Sequence, residues 1–280
     1  MAFSFGNLAG SNSTAVMGII NLSPDSFYSR SSHRNSCDVL HAAEKMIYEG
    51  VHILDVGAES TRPGSRGISV KLELERLLPV ITKLAKEFNV PISVDTYKPD
   101  VASVVLKEGV AVINDISGLG AGHEMASIVS HHNAGIVLMH MKGTPEIMQK
   151  NPCYEDVCVE VLNFLSQRVE LAEGAGIDSG SIAIDPGIGF GKTLAHNIDL
   201  ISKLNQLKVL GKQILLGVSR KSLIGDILNL EPAERLEGSI AAGIVGVING
   251  ADILRVHDVG PTVRAVRIAN ALMKTSCKND

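Results

Sequence analysis

The chain has 280 residues, of which 45% are hydrophobic and 20% are charged, and its formal net charge is −4. These values are typical of a globular protein of one or two domains and argue against a nucleic-acid-binding or anionic-membrane-binding surface. No apolar run reaches the ~20 residues of a membrane span, no basic leader begins the chain, and the four cysteines form no Cys-x-x-Cys pair. We therefore expect a cytoplasmic protein with reduced thiols and no structural zinc.

A repeated unit organises the chain: a helical segment ends at a glycine, and a short apolar run follows. Gly50, Gly109, Gly135 and Gly250 stand where the left-handed residue after a helix is expected. The runs are continuously apolar, which is typical of parallel strands buried on both faces. In chain order they cover residues 14–20, 52–56, 91–94, 111–113, 135–139, 182–184, 213–218 and 252–256.

Helical patterns separate these runs. Within residues 155–174, apolar side chains fall on one helical face: Val161, Leu162, Leu165, Val169 and Ala172. Eight strand-then-helix units predict an α/β fold, a single-domain (β/α)8 TIM barrel over residues 1–280. The loops after the first two strands are long, and we expect them to be mobile lids. A doubly wound open sheet is the alternative, and it would concentrate function at one crevice.

A polar side chain follows every run, which favours the barrel because all barrel strands end at one mouth. The side chains are Asn21, Asp55, Asp95, Asn114, His140, Asp185, Lys221 and Arg255 with His257. The general polarity of loops explains part of this set, but it explains poorly why Asp95, Asn114 and Asp185 stand directly at strand ends. Two carboxylates and a carboxamide suit a flat heterocycle with an amidine-like edge.

The stretch DPGIGFGKT, which begins at Asp185, resembles a phosphate loop only in its Gly-Lys-Thr ending. Pro186 occupies the position of the first P-loop glycine, and the glycine spacing does not match the dinucleotide fingerprint. Glycines lack side chains, so this backbone could approach a bound ring closely.

A second set of polar residues indicates an anion site after the first, second and last strands: Asn21, Thr61, Arg62, Arg255 and His257. Arg255 and His257 are two residues apart and face the same way in an extended segment. A helix that opens near Gly260 follows them, an arrangement that suits phosphate or pyrophosphate. The competing interpretation is that Arg255 forms a salt bridge with Asp258 or Glu59.

Lys221, in GVSRKS, follows the seventh run and has three interpretations. It could form a Schiff base, bind a substrate as a fixed cation, or be a solvated surface lysine. Ser219 and Ser222 beside it favour hydrogen bonding.

Eight blocks together resemble the dihydropteroate synthase family, in the order of that family and over nearly the whole chain: MGIINLSPDSF, LDVGAESTRPGS, SVDT, VINDISG, MHMKGTP, DPGIGFGK, GVSRKS and RVHDV. The resemblance implies a (β/α)8 barrel, usually a homodimer. It also implies the condensation of 6-hydroxymethyl-7,8-dihydropterin pyrophosphate with p-aminobenzoate, with release of pyrophosphate in an SN1-like reaction. Sulfonamides compete for the p-aminobenzoate site of this family.

The resemblance also assigns roles to residues. The pterin pocket would contain Asp95, Asn114, Asp185, Lys221, Met139, Phe190 and Gly217. Asn21, Thr61, Arg62, Arg255 and His257 would hold pyrophosphate, with Mg²⁺ near Asn21. Phe27, Pro63 and Ser222 would contribute to the p-aminobenzoate pocket. This chain departs from the family in the first loop, where NLSPDSFYSRS stands for the usual NVTPDSFSDGG, and at Ala58, where glycine is usual.

Three other functions compete with this one. A corrinoid-dependent pterin methyltransferase would keep the pterin residues but would not need the pyrophosphate set or the STRPG loop. A catalytically silent paralogue that binds pterin or regulates a partner is favoured only by the altered first loop. A Schiff-base aldolase built on Lys221 would leave Asp95, Asn114 and Asp185 unexplained.

Overall fold

The structure, a computed structural model, describes residues 2–9, 13–22, 32–62 and 64–276, and its strands there form one closed parallel barrel. The strands are β1 (Ala15–Asn21), β2 (Ile53–Gly57), β3 (Ile92–Asp95), β4 (Val112–Asp115), β5 (Gly135–Met139), β6 (Ile182–Asp185), β7 (Gln213–Leu216) and β8 (Ile253–Val256). Each strand pairs with its successor, and β8 pairs with β1. This closure confirms the TIM barrel and excludes the open sheet.

Helices alternate with the strands around the barrel. They are α1 (Ser32–Tyr48), α2 (Val70–Glu87), α3 (Pro99–Lys107), α4 (His123–His131), α5 (Val157–Gly174), α6 (Leu194–Ser202), α7 (Ser222–Leu228), α8 (Leu236–Ile248) and α9 (Val259–Ser276). Asp156 caps α5 by accepting hydrogen bonds from the backbone of Cys158 and Val159 at 2.9 and 3.1 Å. The predicted apolar face of α5 is the face that packs on the barrel.

All eight predicted runs are strands, with ends displaced by at most two residues. Three predicted helix-end glycines are confirmed by positive φ angles: Gly50 (92°), Gly109 (93°) and Gly250 (108°). The prediction that Gly135 ends a helix is wrong. Asn133 takes the left-handed conformation (φ 52°) after α4, and Gly135 begins β5. A Cβ at Gly135 would lie 2.6 Å from the Phe3 ring, so close packing explains this glycine.

Two apolar layers hold the barrel together. The larger lies between the strands and the surrounding helices. The smaller fills the barrel interior, where Phe5 from the N-terminal segment packs under the inward side chains and is only 2% exposed. Phe3 meets Phe5 edge to face, with ring centroids 5.0 Å apart. The amino end of the barrel is thus filled with apolar side chains, which leaves the carboxyl end as the mouth.

The loop after β2 covers residues 58–69, as long as predicted. The loop after β1 lies mostly in residues 23–31, outside the described residues, and so does Pro63. No helix among the described residues is long and apolar enough to cross a membrane. The mobility of the two loops and the domain boundaries 1–280 stay predictions.

Candidate active site

The alternation of side chains along the strands builds the site. Residues two apart on a strand face the same side, and one parity faces the barrel interior. The inner apolar layer includes Ile53, Val112, Val137, Ala183, Leu215 and Ile253. Two residues farther along the same strands lie Asp55, Asn114, Met139, Asp185, Gly217 and Arg255. A polar layer therefore sits directly above an apolar floor, and strand register brings Asp95 beside Asn114.

Arg255 lies at the centre of this polar layer and contacts two carboxylates. Its Nε donates to Asp55 Oδ2 at 2.6 Å, and a terminal nitrogen donates to Asp95 Oδ2 at 2.9 Å. Asn114 Nδ2 donates to the same Asp55 oxygen at 3.2 Å. Asp258 is paired instead with Arg220, and Glu59 with Lys98, so the two salt-bridge partners considered from the sequence are engaged elsewhere.

The polar layer is almost sealed from solvent. Asp55 is fully buried, and its Oδ1 is the buried carboxylate oxygen of this layer that has no hydrogen-bond partner among the described residues. Burial raises the pKa of Asp95 to about 7, and the Arg255 guanidinium opposes this shift. Burial alone would lower the pKa of Arg255, but Asp55 and Asp95 outweigh it and raise that pKa. The layer thus combines a permanent cation with a carboxyl group that titrates near neutrality.

Asp185 ends β6 and is held by the glycine loop that follows it. Its Oδ1 accepts a hydrogen bond from Gly187 N at 2.7 Å, while burial raises its pKa and Lys221 opposes the rise. Gly187 has φ 69°, and a Cβ there would lie 1.9 Å from the carbonyl oxygen of His140. Gly191 is similarly constrained, with φ 65° and Lys142 O 2.4 Å from its Cβ position. The glycines therefore let this loop lie against the end of β5.

Lys192 and Thr193 of the Gly-Lys-Thr ending have structural roles. Thr193 caps α6 through a reciprocal pair of hydrogen bonds with His196, at 3.2 and 3.3 Å. Lys192 is 3% exposed and turns into the protein. Neither residue presents the arrangement of a nucleotide phosphate loop.

Lys221 stands over the same glycine loop at the N-terminus of α7. Its Nζ donates to Ile188 O and lies 4.5 Å from the centroid of the Phe190 ring. Burial lowers the pKa of Lys221 to about 8, and Asp185 opposes that shift. A Cβ at Gly217 would lie 4.0 Å from this Nζ. Lys221, Phe190 and Gly217 are therefore neighbours, as the pterin-pocket prediction requires.

Other predicted residues lie around the rim. His257 is exposed, and Ser219 Oγ lies 3.0 Å from its Nδ1. Its ring is nevertheless partly desolvated, and this desolvation, followed by the charge of Arg255, lowers the pKa of His257 and keeps it neutral near pH 7. Thr61 is half-buried, while Arg62 and Ser222 are exposed.

Asn21 ends β1 in register with Gly57. A Cβ at Gly57 would lie 3.8 Å from both Asn21 Oδ1 and Asp95 Oδ2, so these two oxygens border the same gap. Phe27, Pro63 and the divergent residues 28–31 lie outside the described residues. No cluster of three or more His, Cys, Asp or Glu among the described residues is arranged to hold a metal.

The second loop is closed at its base by Glu59. Glu59 Oε2 accepts from Ile68 N at 3.0 Å, and Oε1 accepts from Tyr97 OH at 2.7 Å. Lys98 forms short ion pairs with Glu59 and with the buried Glu73. The loop that carries Thr61 and Arg62 is therefore pinned where it leaves and rejoins the barrel.

Glu59 and Lys192 were not among the site residues selected from the sequence, and Asp55 was selected only as one of the polar side chains that follow the runs, with no role assigned to it. For Asp55 a signal existed, because it lies two residues beyond an apolar inward residue, as Asn114 and Asp185 do. For Glu59 and Lys192 the sequence offers only a charge within a loop, and charged loop residues are usually solvated.

Comparisons with known proteins agree with this geometry. A sequence profile described as pterin binding enzyme matches residues 17–257. The chain is 43% identical to dihydropteroate synthase of Escherichia coli (strain K12) over 260 residues, which cover 92% of this chain and 91% of the relative. A crystal structure of Yersinia pestis dihydropteroate synthase with a sulfonamide drug complex matches with TM-score 0.90 and 38% identity, over 98% of this chain and 100% of that one. A Xanthomonas albilineans dihydropteroate synthase in complex with 7,8-dihydropteroate matches with TM-score 0.82 and 36% identity over 93% of both chains.

Proposed function

The chain belongs to the pterin binding enzyme family and is a dihydropteroate synthase, a transferase of folate biosynthesis, and we propose which residues at the mouth of the barrel bind each part of its substrates. The substrates are 6-hydroxymethyl-7,8-dihydropterin pyrophosphate and p-aminobenzoate. The single observation that carries the proposal is the polar layer at the carboxyl ends of the strands, where Asp95, Asn114 and Asp185 lie buried and Arg255 is bound to Asp95. The motif resemblance to this family is confirmed.

The pterin ring occupies the polar layer. A carboxylate can accept two hydrogen bonds from the amino and ring N–H groups of a pterin, and Asp185 is held in place for this by Gly187. Asn114 and Asp95 supply further acceptors on the adjoining strands, and Lys221 donates to an acceptor of the ring. Met139, Phe190 and Gly217 provide the apolar walls, and the glycine loop allows close approach of the backbone.

Pyrophosphate lies above the ring, at the rim. We assign Arg62, Arg255 and His257 as its donors, with Thr61 and Asn21 as further polar contacts; Arg62 and His257 are exposed, and Thr61 and Asn21 are half-buried. Arg255 reaches this position by releasing Asp95, since only one of its terminal nitrogens is bound to that carboxylate. This release frees Asp95 Oδ2 to accept a hydrogen bond from the pterin ring of the same substrate molecule.

The oxygen atoms of Asn21 and Asp95 that border the gap beside Gly57 are ligands of the type that Mg²⁺ prefers. Amide and carboxylate oxygens are the ligands it prefers, and it commonly keeps several waters and adds substrate phosphates. Asn21 Oδ1 would hold the ion together with the pyrophosphate. When bound, the ion neutralises charge on the departing pyrophosphate.

The reaction is an SN1-like substitution at the pterin methylene carbon. The bond from this carbon to the pyrophosphate oxygen breaks first, and the electron pair leaves with pyrophosphate. Asp95 and Asp185 lie beside the cationic pterin that remains, where their negative charge stabilises it. The aniline nitrogen of p-aminobenzoate then forms the new C–N bond and loses one proton. This nitrogen is neutral at physiological pH, so no strong base is needed.

The family resemblance assigns Ser222 to the p-aminobenzoate site, together with Phe27 and Pro63, which lie outside the described residues. Ser222 is exposed at the start of α7, next to Lys221. A relative from Xanthomonas albilineans has been solved with 4-aminobenzoic acid, and one from Yersinia pestis with a sulfonamide drug. We extend both ligands to this chain, so sulfonamides compete with p-aminobenzoate here.

The chain forms a homodimer through α8 and its neighbours. The sequence of α8, LEGSIAAGIVGVI, is apolar on nearly all sides, which is typical of a helix that is covered rather than solvated. Val245 and Ile248 of this helix are 48% and 63% exposed, and Ile268 of the adjacent α9 is 64% exposed. A second copy of the chain would cover this apolar surface. The cytoplasmic location stays a prediction.

The experiment that tests the function is an assay of pyrophosphate release. Purified protein receives the dihydropterin pyrophosphate and Mg²⁺, with and without p-aminobenzoate, and dihydropteroate is measured in parallel. We expect equal amounts of pyrophosphate and dihydropteroate, and inhibition by a sulfonamide. Pterin binding without turnover would instead indicate the silent paralogue, and residues 28–31 would then be exchanged for the usual family sequence.

A further inference from the structure

A buried lysine of the glycine loop has no part in the reaction as derived above. Lys192 is 3% exposed, and its Nζ contacts His140 Nδ1 at 2.9 Å, Gly187 O at 2.9 Å and Phe190 O at 3.1 Å. The carbonyl of His140 lies 3.4 Å away. Burial lowers the pKa of Lys192 to about 7, and the charge of Asp185 opposes this shift. In its ammonium form the side chain has three donors and no acceptor. All three are directed to protein acceptors, so this lysine is not available to a phosphate.

His140 is a matched acceptor for Lys192. Burial, followed by the positive charge of Lys192, lowers the pKa of His140 to about 3, so its ring is neutral. A neutral imidazole can accept at Nδ1 while Nε2 carries the proton. The ring is fixed in turn by Phe164, which it meets edge to face at 4.9 Å. Lys192 is therefore anchored to the carboxyl end of β5, and it holds the loop through Gly187 and Phe190.

The loop held in this way is also the support of Lys221. Lys221 Nζ donates to Ile188 O and lies over the Phe190 ring, both within residues 187–190. A Cβ at Gly189 would lie 3.4 Å from Lys221 Cδ, so the stem of the side chain also rests on the loop. Lys192 donates hydrogen bonds to the carbonyls of Gly187 and Phe190. Lys221 contacts the same loop at Ile188, Gly189 and the Phe190 ring.

We propose that Lys192 is a positioning residue of the transferase reaction, which ties the loop of residues 187–190 to the end of β5 and thereby fixes Lys221 over the pterin. This inference rests on the proposed role of Lys221. Misplacement of a group that orients a substrate by about 1 Å can cost on the order of 10²-fold in rate. The ring of carbonyls around Lys192 is suited to prevent such a displacement.

The experiment is a double-mutant cycle with Lys192→Met, Lys221→Ala and the double variant. Lys192→Met keeps an unbranched side chain of nearly the same length and removes its donors. We expect it to raise Kd for the dihydropterin pyrophosphate and lower kcat/KM by ~10- to 100-fold, with KM for p-aminobenzoate changed less than about twofold. In the Lys221→Ala background the same substitution should change Kd by less than about threefold, because coupled residues are not additive.

Two controls separate positioning from simple stabilisation. Lys212 is also nearly buried, but it pairs with Glu173 and Ser179 at the amino end of the barrel, so Lys212→Met should lower Tm without changing Kd. At His140, Leu keeps bulk without an acceptor, and Asn keeps an acceptor with less bulk. We expect His140→Asn to lose more stability and His140→Leu to lose more affinity for the pterin substrate.

The outcomes are distinct. Equal losses from Lys192→Met in both backgrounds, or parallel losses of stability and affinity in the two His140 variants, would overturn the inference and leave the function untouched. Wild-type activity of Lys221→Ala would overturn the role given to Lys221, and the inference would fall with it. The pyrophosphate-release assay reports on the function independently of either result.

Discussion

A terminal nitrogen of Arg255 donates a hydrogen bond to Asp95 Oδ2 at 2.9 Å. The cation assigned to pyrophosphate and the carboxylate assigned to pterin are therefore partners in the chain before a substrate arrives. Since Arg255 also holds Asp55 at 2.6 Å, it can exchange one contact while keeping the other. The two halves of the substrate site thus share one side chain.

Replacement of Arg255 should damage pyrophosphate recognition more than pterin recognition. Arg255→Met removes a preorganised donor, which typically lowers kcat by ~10²- to 10³-fold. We expect inhibition by added pyrophosphate to weaken much more than the binding of a pterin that lacks pyrophosphate. Equal losses for both ligands would contradict the division of the mouth. Arg264→Met, at an exposed position on α9, is the control.

Asp95→Asn and Lys221→Ala should each abolish turnover without unfolding the barrel. Asp95→Asn keeps the shape but removes the charge that stabilises the cationic pterin, and we expect losses of ~10²- to 10³-fold or more in kcat. Circular dichroism melts should show cooperative unfolding in both variants. Asp100→Asn, exposed in the first turn of α3, should behave as wild type. Normal activity in both site variants would remove the assignment.

The pH profile of kcat/KM for the pterin substrate should be bell-shaped with a narrow maximum. Activity should fall as the pH drops through about 7, because burial raises the pKa of Asp95 to about 7 and its protonated form carries no charge. It should also fall as the pH rises through about 8, because burial lowers the pKa of Lys221 to about 8 and the neutral amine carries no charge. In Lys221→Arg the alkaline limb should disappear from the residual activity. An unchanged limb would exclude Lys221 as its source.

Glu59 should matter for the second substrate although it lies outside the mouth. Glu59→Ala removes the hydrogen bonds that join the start of the second loop to its end at Ile68 and to Tyr97, which follows β3. We expect KM for p-aminobenzoate to rise on the order of tenfold, with a smaller change for the pterin substrate. Glu87→Ala, exposed at the end of α2, is the matched control. Identical changes for both substrates would refute a role confined to the loop.

The proposed dimer interface on α8 can be tested by introducing a charged side chain into it. Ile248→Glu places a carboxylate in the apolar surface on α8 and should convert the dimer to a monomer, measured by light scattering after size exclusion. Tyr48→Glu, at a 93% exposed position on α1, should leave the mass unchanged. A monomeric wild-type chain, or a dimer that tolerates Ile248→Glu, would place the interface elsewhere.

Local patterns in the sequence predicted the barrel and much of its polar layer. Apolar runs followed by Asp95, Asn114 and Asp185 needed only strand parity and closure of the sheet to become neighbours. Gly50, Gly109 and Gly250 marked helix ends because their backbone angles are local. The prediction for Gly135 is wrong for the opposite reason, since a glycine is needed there because the Phe3 ring, distant in sequence, packs against it.

The contacts of charged side chains were not predictable from local patterns. Arg255 and Asp55 are separated by 200 positions, and an arginine near a strand end gives no sign of which carboxylate it will meet. Lys192 has the local sequence of a phosphate-binding lysine, yet the three-dimensional path of the glycine loop turns it toward His140. Such pairings depend on tertiary packing, which overrides the solvated state that a charged loop residue usually has.

The pairing of β8 with β1 also sets an order of events at the ribosome. The first strand is made early, but its neighbour is the last strand to emerge, so one edge stays open through most of synthesis. Arg255 arrives on that last strand, and until then Asp55 and Asp95 lack their counter-charge. The active site of a nascent chain is therefore incomplete until β8 has been synthesised, and truncated chains that lack β8 should not bind pterins.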